Sequence, residues 1–229
     1  MEIGVISDVH SNLPALESVV KELDRREVDE IICGGDLIGY YPYPNEVLEL
    51  ISSRNIKCVR GNHDEAILTG TPQNYNDTAI ETLKWTRNQI TEEKKSIINK
   101  YPIERVEKYD NTTTHIVHGS PLYPFTDYIY PEDIDDKFIK ENLVKSPDFL
   151  ILGHTHEQFR VNVGKTTVVN PGSVGQPRDG EQTAGYAVID TEYESATLYR
   201  VSYDIDRTKN KIKKENLPKT LAKRLTEGK

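Results

Sequence analysis

The first sixty residues alternate between short apolar runs and segments with helical spacing. The apolar runs cover residues 3–7, 30–33 and 56–59, and each has the length of a buried strand. Between them, apolar residues recur at helical spacing over 16–23 and 47–51. This order predicts β-α-β-α-β, an arrangement whose crossovers normally build a parallel sheet.

The remainder of the chain changes from a helical pattern to a strand-rich one. Residues 74–100 have helical spacing that ends before Pro102. Strand-like runs then follow, joined in the later part by turns that contain glycine. They cover 113–117, 149–152, 159–163, 166–169, 184–189 and 197–201. The later strands favour antiparallel pairing, so the sequence predicts an α/β sandwich of two packed sheets with helices outside.

The pattern predicts one main domain over residues 1–203, with a helical insertion at about 74–100, and a separate tail over 204–229. The tail holds nine Lys or Arg residues and four acids, although the whole chain has a net charge of −8. Apolar residues at 212, 217, 221 and 225 predict a short amphipathic helix. We expect this basic helix to dock on the acidic body rather than on nucleic acid or membrane.

Composition narrows the class of protein. Of the 229 residues, 36% are hydrophobic and 29% are charged, and the net negative charge argues against a general nucleic-acid binder. No apolar stretch approaches the roughly 18 residues of a membrane helix, and the N-terminus has no basic region of a signal peptide. Cys33 and Cys58 lie inside apolar runs and are interpreted as buried, reduced thiols. The expectation is a cytoplasmic protein without a membrane partner, and the sequence leaves a homo-oligomer open.

Polar side chains follow five of the predicted strands, at the point where each strand ends. In order along the chain, these residues are Asp8, His10, Asp36, Asn62, His63, Asp64, His118, His154 and His156. In open α/β sheets, the carboxyl ends of the strands are where ligands bind. Taken singly, each of these residues could have a purely structural role. Asp8 could cap a helix, Asn62 could form a turn, and His118 could be a histidine of the core. Together they favour a metal cluster with nitrogen and oxygen ligands, which suits Mn²⁺, Fe, Zn²⁺, Co²⁺ or Ni²⁺ and not Cu(I).

Five short motifs carry a resemblance to a known family. They are DVH at 8–10, GD at 35–36, GNHD at 61–64, HG at 118–119 and GHTH at 153–156. Their order, spacing and strand context are similar to those of the calcineurin-like metallophosphoesterases. The stretch NPGSVGQPR at 170–178 resembles the compact prokaryotic branch labelled diadenosine-tetraphosphatase-related. The resemblance covers roughly residues 1–201 and implies a four-layer α-β-β-α sandwich with two central mixed sheets.

The resemblance also implies a metal centre of two divalent ions, with manganese the first candidate and nickel, iron, zinc, cobalt or magnesium as alternatives. One ion would be held by Asp8, His10, Asp36 and His156, and the other by Asp36, Asn62, His118 and His154. Asp36 would bridge the two ions. A hydroxide shared by both ions would supply the nucleophile.

Four further residues receive roles beside the metals. In the family, the residue matching His63 holds no metal and contacts the phosphoryl group or protonates the leaving oxygen, and neighbouring Asp64 is the candidate to orient its ring. The protein phosphatases carry a GDxVDRG motif, whereas this chain has GDLIGY at 35–40 and lacks the second Asp and the Arg. Neutralisation of the phosphate is therefore assigned to the metals, to Asn12 or to Arg178. The alternative for Arg178 is a charge on the surface without a role at the site.

The predicted function is a phosphoesterase with two metals, favouring phosphodiesters or nucleotide-type substrates. The first alternative is a phosphomonoesterase or dinucleoside polyphosphate hydrolase on the same centre. The second is a catalytically silent scaffold, as in the retromer subunit of this fold, which has lost the residue matching His63. Retention of His63 favours catalysis. Trp85 in the helical insertion is interpreted as a core anchor in preference to a surface for stacking a base.

Overall fold

The computed structural model describes residues 1–70 and 75–229. Within this part of the chain the strands are β1 (Glu2–Ile6), β2 (Glu30–Cys33), β3 (Lys57–Cys58), β4 (Glu104–Tyr109), β5 (Thr112–Val117), β6 (Phe149–Ile151), β7 (Gln158–Val163), β8 (Thr166–Pro171), β9 (Ala184–Asp190) and β10 (Ser195–Val201). The α-helices are α1 (Leu13–Arg25), α2 (Pro44–Ser53), α3 (Asn62–Thr69), α4 (Asp77–Gln89), α5 (Glu92–Lys100), α6 (Asp136–Asn142), α7 (Ile205–Lys214) and α8 (Lys219–Glu227). Among the described residues, no helix combines the length and apolar character needed to cross a bilayer.

The strands form two five-stranded mixed sheets. The first has the order β10-β9-β1-β2-β3, in which β1, β2 and β3 are parallel and β9 runs antiparallel to β1. The second has the order β4-β5-β6-β8-β7, with β5, β6 and β8 parallel. The predicted β-α-β-α-β beginning is confirmed. Strand β4 was not predicted from the hydrophobic pattern, because it lies at a sheet edge and only Tyr109 in it is buried.

The two sheets pack face to face between outer helical layers. Ile3, Val5 and Ile32 from the first sheet meet Phe149 and Ile151 from the second in one buried cluster. The opposite face of the first sheet packs against α1 and α2, and the opposite face of the second packs against α6. Because side chains alternate along a strand, each sheet can fill both interfaces. The predicted four-layer α-β-β-α sandwich is confirmed.

A single glycine sets the distance between β1 and α1. A Cβ atom added at Gly4 would lie 2.9 Å from the Leu23 side chain. A larger residue at position 4 would therefore require the Leu23 side chain to shift. Asp8 and His10 lie in the chain between these two packed elements.

The helical insertion contains two helices, α4 and α5, which are separated at Ile90 and Thr91. The Thr91 hydroxyl accepts a hydrogen bond from the Lys94 backbone N and caps α5. The predicted first residue of the insertion, Asn74, lies outside the described residues. Trp85 packs against the apolar cluster of the C-terminal helices, in agreement with its interpretation as a core anchor.

The C-terminal residues form two helices instead of the single helix expected. Ile212, Leu217, Leu221 and Leu225 are all buried, and they share a cluster with Tyr40 and Tyr41. Arg207 of α7 also pairs with Glu17 of α1. Because the two tyrosines follow the loop that carries Asp36, the C-terminal helices support that loop from outside.

Candidate metal centre

The carboxyl ends of strands from both sheets bring the seven predicted metal ligands to one place. Their relative exposures are 0% for Asp8, His10 and His118, 1% for Asp36, 2% for His156, 5% for His154 and 8% for Asn62. Ionisable groups withdrawn from water to this extent need compensating partners. The cluster is therefore the first place in the molecule to look for a bound cation.

The backbone is strained at five of these residues. Asp8, His10, Asp36, His154 and His156 all have positive φ angles, between 48° and 69°. Residues other than glycine seldom adopt this left-handed conformation, and it persists only where the surrounding structure enforces it. Here the left-handed conformation turns the chain sharply after the strand. The polar side chains of these turns therefore face the same cluster. Strain concentrated on the residues of one cluster is typical of a functional site.

One side of the cluster contains two imidazole nitrogens that face each other and a carboxylate. Nε2 of His10 and Nε2 of His156 are 3.1 Å apart, and Asp8 Oδ1 lies 3.2 Å from the latter. The Gln176 carbonyl can only accept a hydrogen bond, so His156 donates to it through Nδ1, at 2.6 Å. A neutral His156 therefore carries its lone pair on Nε2, which is directed into the cluster.

On the other side of the cluster, a backbone carbonyl also fixes the orientation of a histidine ring. His118 Nδ1 donates to the Gly34 carbonyl at 2.8 Å, which leaves Nε2 facing the cluster. Three oxygens surround this nitrogen: Asn62 Oδ1 at 3.0 Å, Asp36 Oδ2 at 3.4 Å and Asp8 Oδ1 at 3.9 Å. An electron-rich nitrogen among oxygen acceptors is stable only with a proton or a cation between them.

Several polar atoms of the cluster have no hydrogen-bond partner. They include Asp8 Oδ1, His10 Nδ1 and His154 Nε2, all of which are buried. Each unsatisfied buried polar group costs about 1–3 kcal/mol. A divalent cation ligated by imidazole nitrogen and carboxylate or amide oxygen would satisfy Asp8 Oδ1 and His154 Nε2. The residues present therefore fit a bound divalent metal.

The pKa values of the histidines suit them to this role. Burial lowers the pKa of His154 to about 3, and burial also lowers the pKa values of His10 and His156. These imidazoles are thus neutral at pH 7 and free to coordinate. Burial acts in the same direction on His118, but the Asp36 and Asp8 carboxylates outweigh it and raise its pKa to about 10. A metal at this position must displace a proton from His118.

Tyr75 holds Asn62 in a fixed orientation, a contact that the sequence did not reveal. Asn62 Nδ2 donates to the Tyr75 hydroxyl at 2.6 Å, and that hydroxyl donates to the backbone carbonyl of Asn62 at 3.1 Å. The amide nitrogen is therefore directed away from the cluster and Oδ1 towards it. Residues in contact with ligands commonly fix ligand orientation in this way.

The loop at 170–178 fixes the positions of Asp8 and His156. The Ser173 hydroxyl donates to the Asp8 carbonyl at 2.7 Å and accepts from the Gln176 backbone N at 2.7 Å. Gly175 passes so close to Val9 that an added Cβ would lie 2.0 Å from the Val9 carbonyl oxygen. The conspicuous glycine and polar residues of this loop therefore build the wall of the centre.

The role of Asn12 in substrate binding stays a prediction, and the structure shows other contacts for its side chain. Its side chain is fully buried, and its Nδ2 donates to the Gly175 carbonyl at 2.8 Å and to the Tyr203 hydroxyl at 3.2 Å. Its Oδ1 accepts from the Thr208 hydroxyl at 2.9 Å. With both amide hydrogens occupied and no access from solvent, Asn12 joins the C-terminal residues to the core.

The role of Asp64 in orienting the His63 ring stays a prediction, and the structure shows other contacts for its carboxylate. Its carboxylate accepts hydrogen bonds from the backbone N atoms of Gly61, Leu37 and Ile38, at 3.0–3.2 Å. The ring nitrogen Nδ1 of His63 has no hydrogen-bond partner. Burial and the nearby Asp36 raise the pKa of Asp64 to about 7. Its observed contacts hold the loop after β2 against the start of α3.

His63 itself faces the centre. Its backbone N donates to Asp36 Oδ1 at 2.8 Å, and its ring packs against those of His10 and Tyr40 with centroids 4.8 and 4.6 Å away. A ring nitrogen lies within 4.8 Å of ligand atoms of His10 and Asp36, so the distances alone admit His63 as a further ligand. Burial lowers the pKa of His63 to about 4. Its assignment as a residue that binds no metal stays a prediction.

Arg178 is partly exposed beside the same residues. One of its guanidinium nitrogens donates to Gln176 Oε1 at 3.2 Å. Its positive charge contributes to the lowered pKa values of His63 and His156, which places it near the mouth of the centre. The position is compatible with contact to an anionic substrate.

The layered α/β sandwich and its buried cluster of histidines and carboxylates are compatible with a metal-dependent phosphoesterase. The sequence model of the calcineurin-like phosphoesterase superfamily domain matches residues 1–194. The chain belongs to this superfamily, and the resemblance noted in the sequence is confirmed.

Relatives extend over the whole chain. An uncharacterised protein of Methanocaldococcus jannaschii is 34% identical, with alignment over 99% of this chain and 98% of that protein. A phosphodiesterase of the same organism is 26% identical over 84% of this chain and 94% of its own length. The crystal structure of a metallophosphoesterase from Sphaerobacter thermophilus has a TM-score of 0.85 and 32% identity, covering 100% of this chain and 99% of its own.

Replacement of Asp36 tests whether the cluster binds metal. Asp36→Asn removes one negative charge from the carboxylate that lies between the two groups of nitrogens, so we expect the metal content to fall well below that of the wild type. Elemental analysis after reconstitution with Mn²⁺ and desalting measures it. Asp206→Asn, in the exposed first turn of α7, is the matched control and should retain the wild-type content. Wild-type metal content in Asp36→Asn would contradict the assignment.

Proposed function

We propose that this protein hydrolyses phosphodiesters with two divalent metal ions. The observation that carries the proposal is the position of Asp36. Its Oδ2 lies 3.6 Å from Nε2 of His10 and 3.4 Å from Nε2 of His118, between the two sides of the cluster. A carboxylate so placed can serve two ions at once.

The two sides of the cluster provide two ligand sets. The first is Asp8, His10, Asp36 and His156, and the second is Asp36, Asn62, His118 and His154. Manganese is the proposed metal, because the set combines imidazole with carboxylate and amide oxygen and has no thiolate. Two such ions would neutralise phosphoryl charge and would lower the pKa of bound water.

The protein supplies two further groups to the reaction. His63 is neutral in the unbound protein because burial lowers its pKa to about 4. A phosphoryl group places negative charge beside this ring and favours its protonated form, so His63 can donate a proton to the leaving oxygen. Arg178, at the mouth of the centre, is placed to contact a phosphoryl oxygen.

The charge balance favours diesters over monoesters. A phosphodiester carries one negative charge, whereas a phosphomonoester near neutral pH carries close to two. The loop at 35–40 has no arginine. Among the described residues, Arg178 is the cation that acts on both His63 and His156. The phosphodiesterase of M. jannaschii among the relatives supports the same substrate class.

Other functions on the same fold remain alternatives to this proposal. Phosphomonoester or dinucleoside polyphosphate hydrolysis would use the same metals with a more highly charged substrate. A silent scaffold would need neither His63 nor bound metal for its function. We propose a cytoplasmic location, since Cys33 and Cys58 are both buried, free thiols.

A substrate panel separates these functions. Protein stripped with a chelator should be inactive and should regain activity with Mn²⁺, and Ni²⁺ and Mg²⁺ are tested separately. We expect kcat/KM for a phosphodiester to exceed that for the matched monoester and for a dinucleoside polyphosphate. A higher kcat/KM for either of the latter would overturn the diester assignment. No hydrolysis with any metal would favour the scaffold.

Replacement of His63 tests its part in the chemistry. We expect His63→Asn to lower kcat by roughly 10²–10⁴-fold, because a general acid typically contributes that much. The loss should grow as the leaving alcohol becomes more basic, while the metal content stays at the wild-type level. The measurement is kcat across a series of aryl and alkyl phosphodiesters, with metal counted in each preparation.

His115→Asn is the matched control, because His115 lies on β5 and pairs with Glu104 outside the centre. An equal loss across the series would assign His63 to binding of the phosphoryl oxygen. A parallel loss of metal would make it a ligand. Unchanged rates would remove it from the mechanism.

A further inference from the structure

A cavity of about 380 Å³ opens directly beside the metal centre. It lies between α3, the start of α4 and the loop that follows β5. Asn62, His63 and His154 form the end of the cavity nearest the metals. Its volume falls within the range of roughly 300–1,000 Å³ typical of pockets for small ligands. The cavity is therefore continuous with the place where the phosphoryl group would bind.

Aromatic side chains line this cavity on several sides. Tyr40, Tyr75, Phe125 and Tyr128 all contribute to its surface. The Tyr128 ring stacks on His154 with centroids 3.9 Å apart, yet the residue is 50% exposed. Tyr40 is buried and Tyr75 and Phe125 are half-buried, so Tyr128 is the exposed ring of the four. Aromatic rings gathered around a cavity favour a planar aromatic ligand, which can stack on them or meet their edges.

The wall that carries Phe125 and Tyr128 is already formed in the unbound protein. The Ser120 hydroxyl donates to Asp127 Oδ2 at 2.6 Å and accepts from the Tyr123 backbone N at 3.0 Å. The Gly119 backbone N donates to the Pro124 carbonyl at 2.8 Å. These bonds close the loop on itself, so binding to its aromatic residues needs little further ordering.

The described lining of the cavity offers no cationic side chain of its own for a second phosphate. None of its described lining residues is a lysine or an arginine, and Glu65 is among them. The Glu65 carboxylate is balanced by Arg60, whose Nη1 lies 2.9 Å from its Oε2, so neither residue is free to bind a phosphate. The small side chains of Ala66 and Ala79 add apolar surface. An uncharged group with a flat ring is the chemistry that this surface accepts.

The position of His63 determines which part of the substrate occupies the cavity. His63 lines it and also faces the metal cluster, so it stands between the phosphoryl site and the aromatic rings. We propose that the cavity binds the nucleoside that leaves during hydrolysis, with its base among Tyr75, Phe125 and Tyr128. This inference rests on the proposed phosphodiesterase function and names its substrate as a nucleoside phosphodiester.

The reaction that follows from this placement is a simple hydrolysis. The oxygen of water forms a bond to phosphorus, and the bond between phosphorus and the nucleoside oxygen breaks. One proton passes to that oxygen, which yields a free nucleoside. The other alcohol remains bonded to phosphorus, so the second product is a phosphomonoester. The second proton of water is released from this product into solution.

Binding of adenosine alone tests the cavity without any turnover. We expect Phe125→Leu and Tyr128→Leu each to raise the Kd for adenosine about tenfold, since stacking on one aromatic side chain is worth about that factor. Ligand-observed NMR on chelator-treated protein measures the Kd. Tyr193→Leu, which removes a 75% exposed tyrosine from the turn between β9 and β10, should leave the Kd unchanged.

The products from adenosine 5′-methyl phosphate test the direction of binding. Its two leaving alcohols have similar basicity, so the position of the base decides which bond breaks. We expect adenosine and methyl phosphate from the wild-type protein with Mn²⁺, and a raised KM in both cavity variants. Chromatography of the products distinguishes these from adenosine monophosphate and methanol.

Two results would overturn the inference. One is an unchanged Kd for adenosine in both cavity variants with their thermal unfolding temperatures at the wild-type value. The other is release of adenosine monophosphate as the main product. Failure of hydrolysis with every metal would instead contradict the proposed function, and the adenosine Kd values would still decide whether the cavity binds a nucleoside.

Discussion

The constraint on which the structure depends is the burial of seven polar ligands at one point. Groups of three carboxylate oxygens and imidazole nitrogens converge there within 4.8 Å of one another, and several of the buried polar atoms have no hydrogen-bond partner. Such a cluster is costly in water-free surroundings unless a cation or protons balance it. The left-handed turns at Asp8, His10 and Asp36 add backbone strain to that cost. Binding of a metal would explain why the protein retains both the buried polar groups and the strained backbone.

The rest of the fold is arranged to maintain this convergence. The two sheets pack through a single apolar interface, so the ends of β1, β2, β5 and β6 meet at the same edge. Around that edge, backbone carbonyls of Gly34 and Gln176 hold two histidine rings, and Tyr75 holds Asn62. The C-terminal helices support the Asp36 loop through Tyr40 and Tyr41. Positioning residues thus come from parts of the chain far from the motifs.

The fold and the metal cluster could be predicted because both depend on local signals. Each ligand directly follows an apolar strand, and a strand fixes where its next residues lie. Roles that depend on tertiary hydrogen bonds could not be predicted. Asn12 and Asp64 stand beside the motifs, and their side chains bind Gly175 and the backbone at 37–38. Phe125 and Tyr128 lie in a loop whose position depends on packing, so no periodic pattern marks them.

The central claim is that the cluster is a centre for two metals bridged by Asp36. Anomalous diffraction from a crystal of the manganese-loaded protein tests it most directly. The account predicts two peaks about 3.5–4 Å apart, with Asp36 in contact with both, His10 and His156 beside one, and His118 and His154 beside the other. A single peak, or two peaks that do not share Asp36, would contradict it.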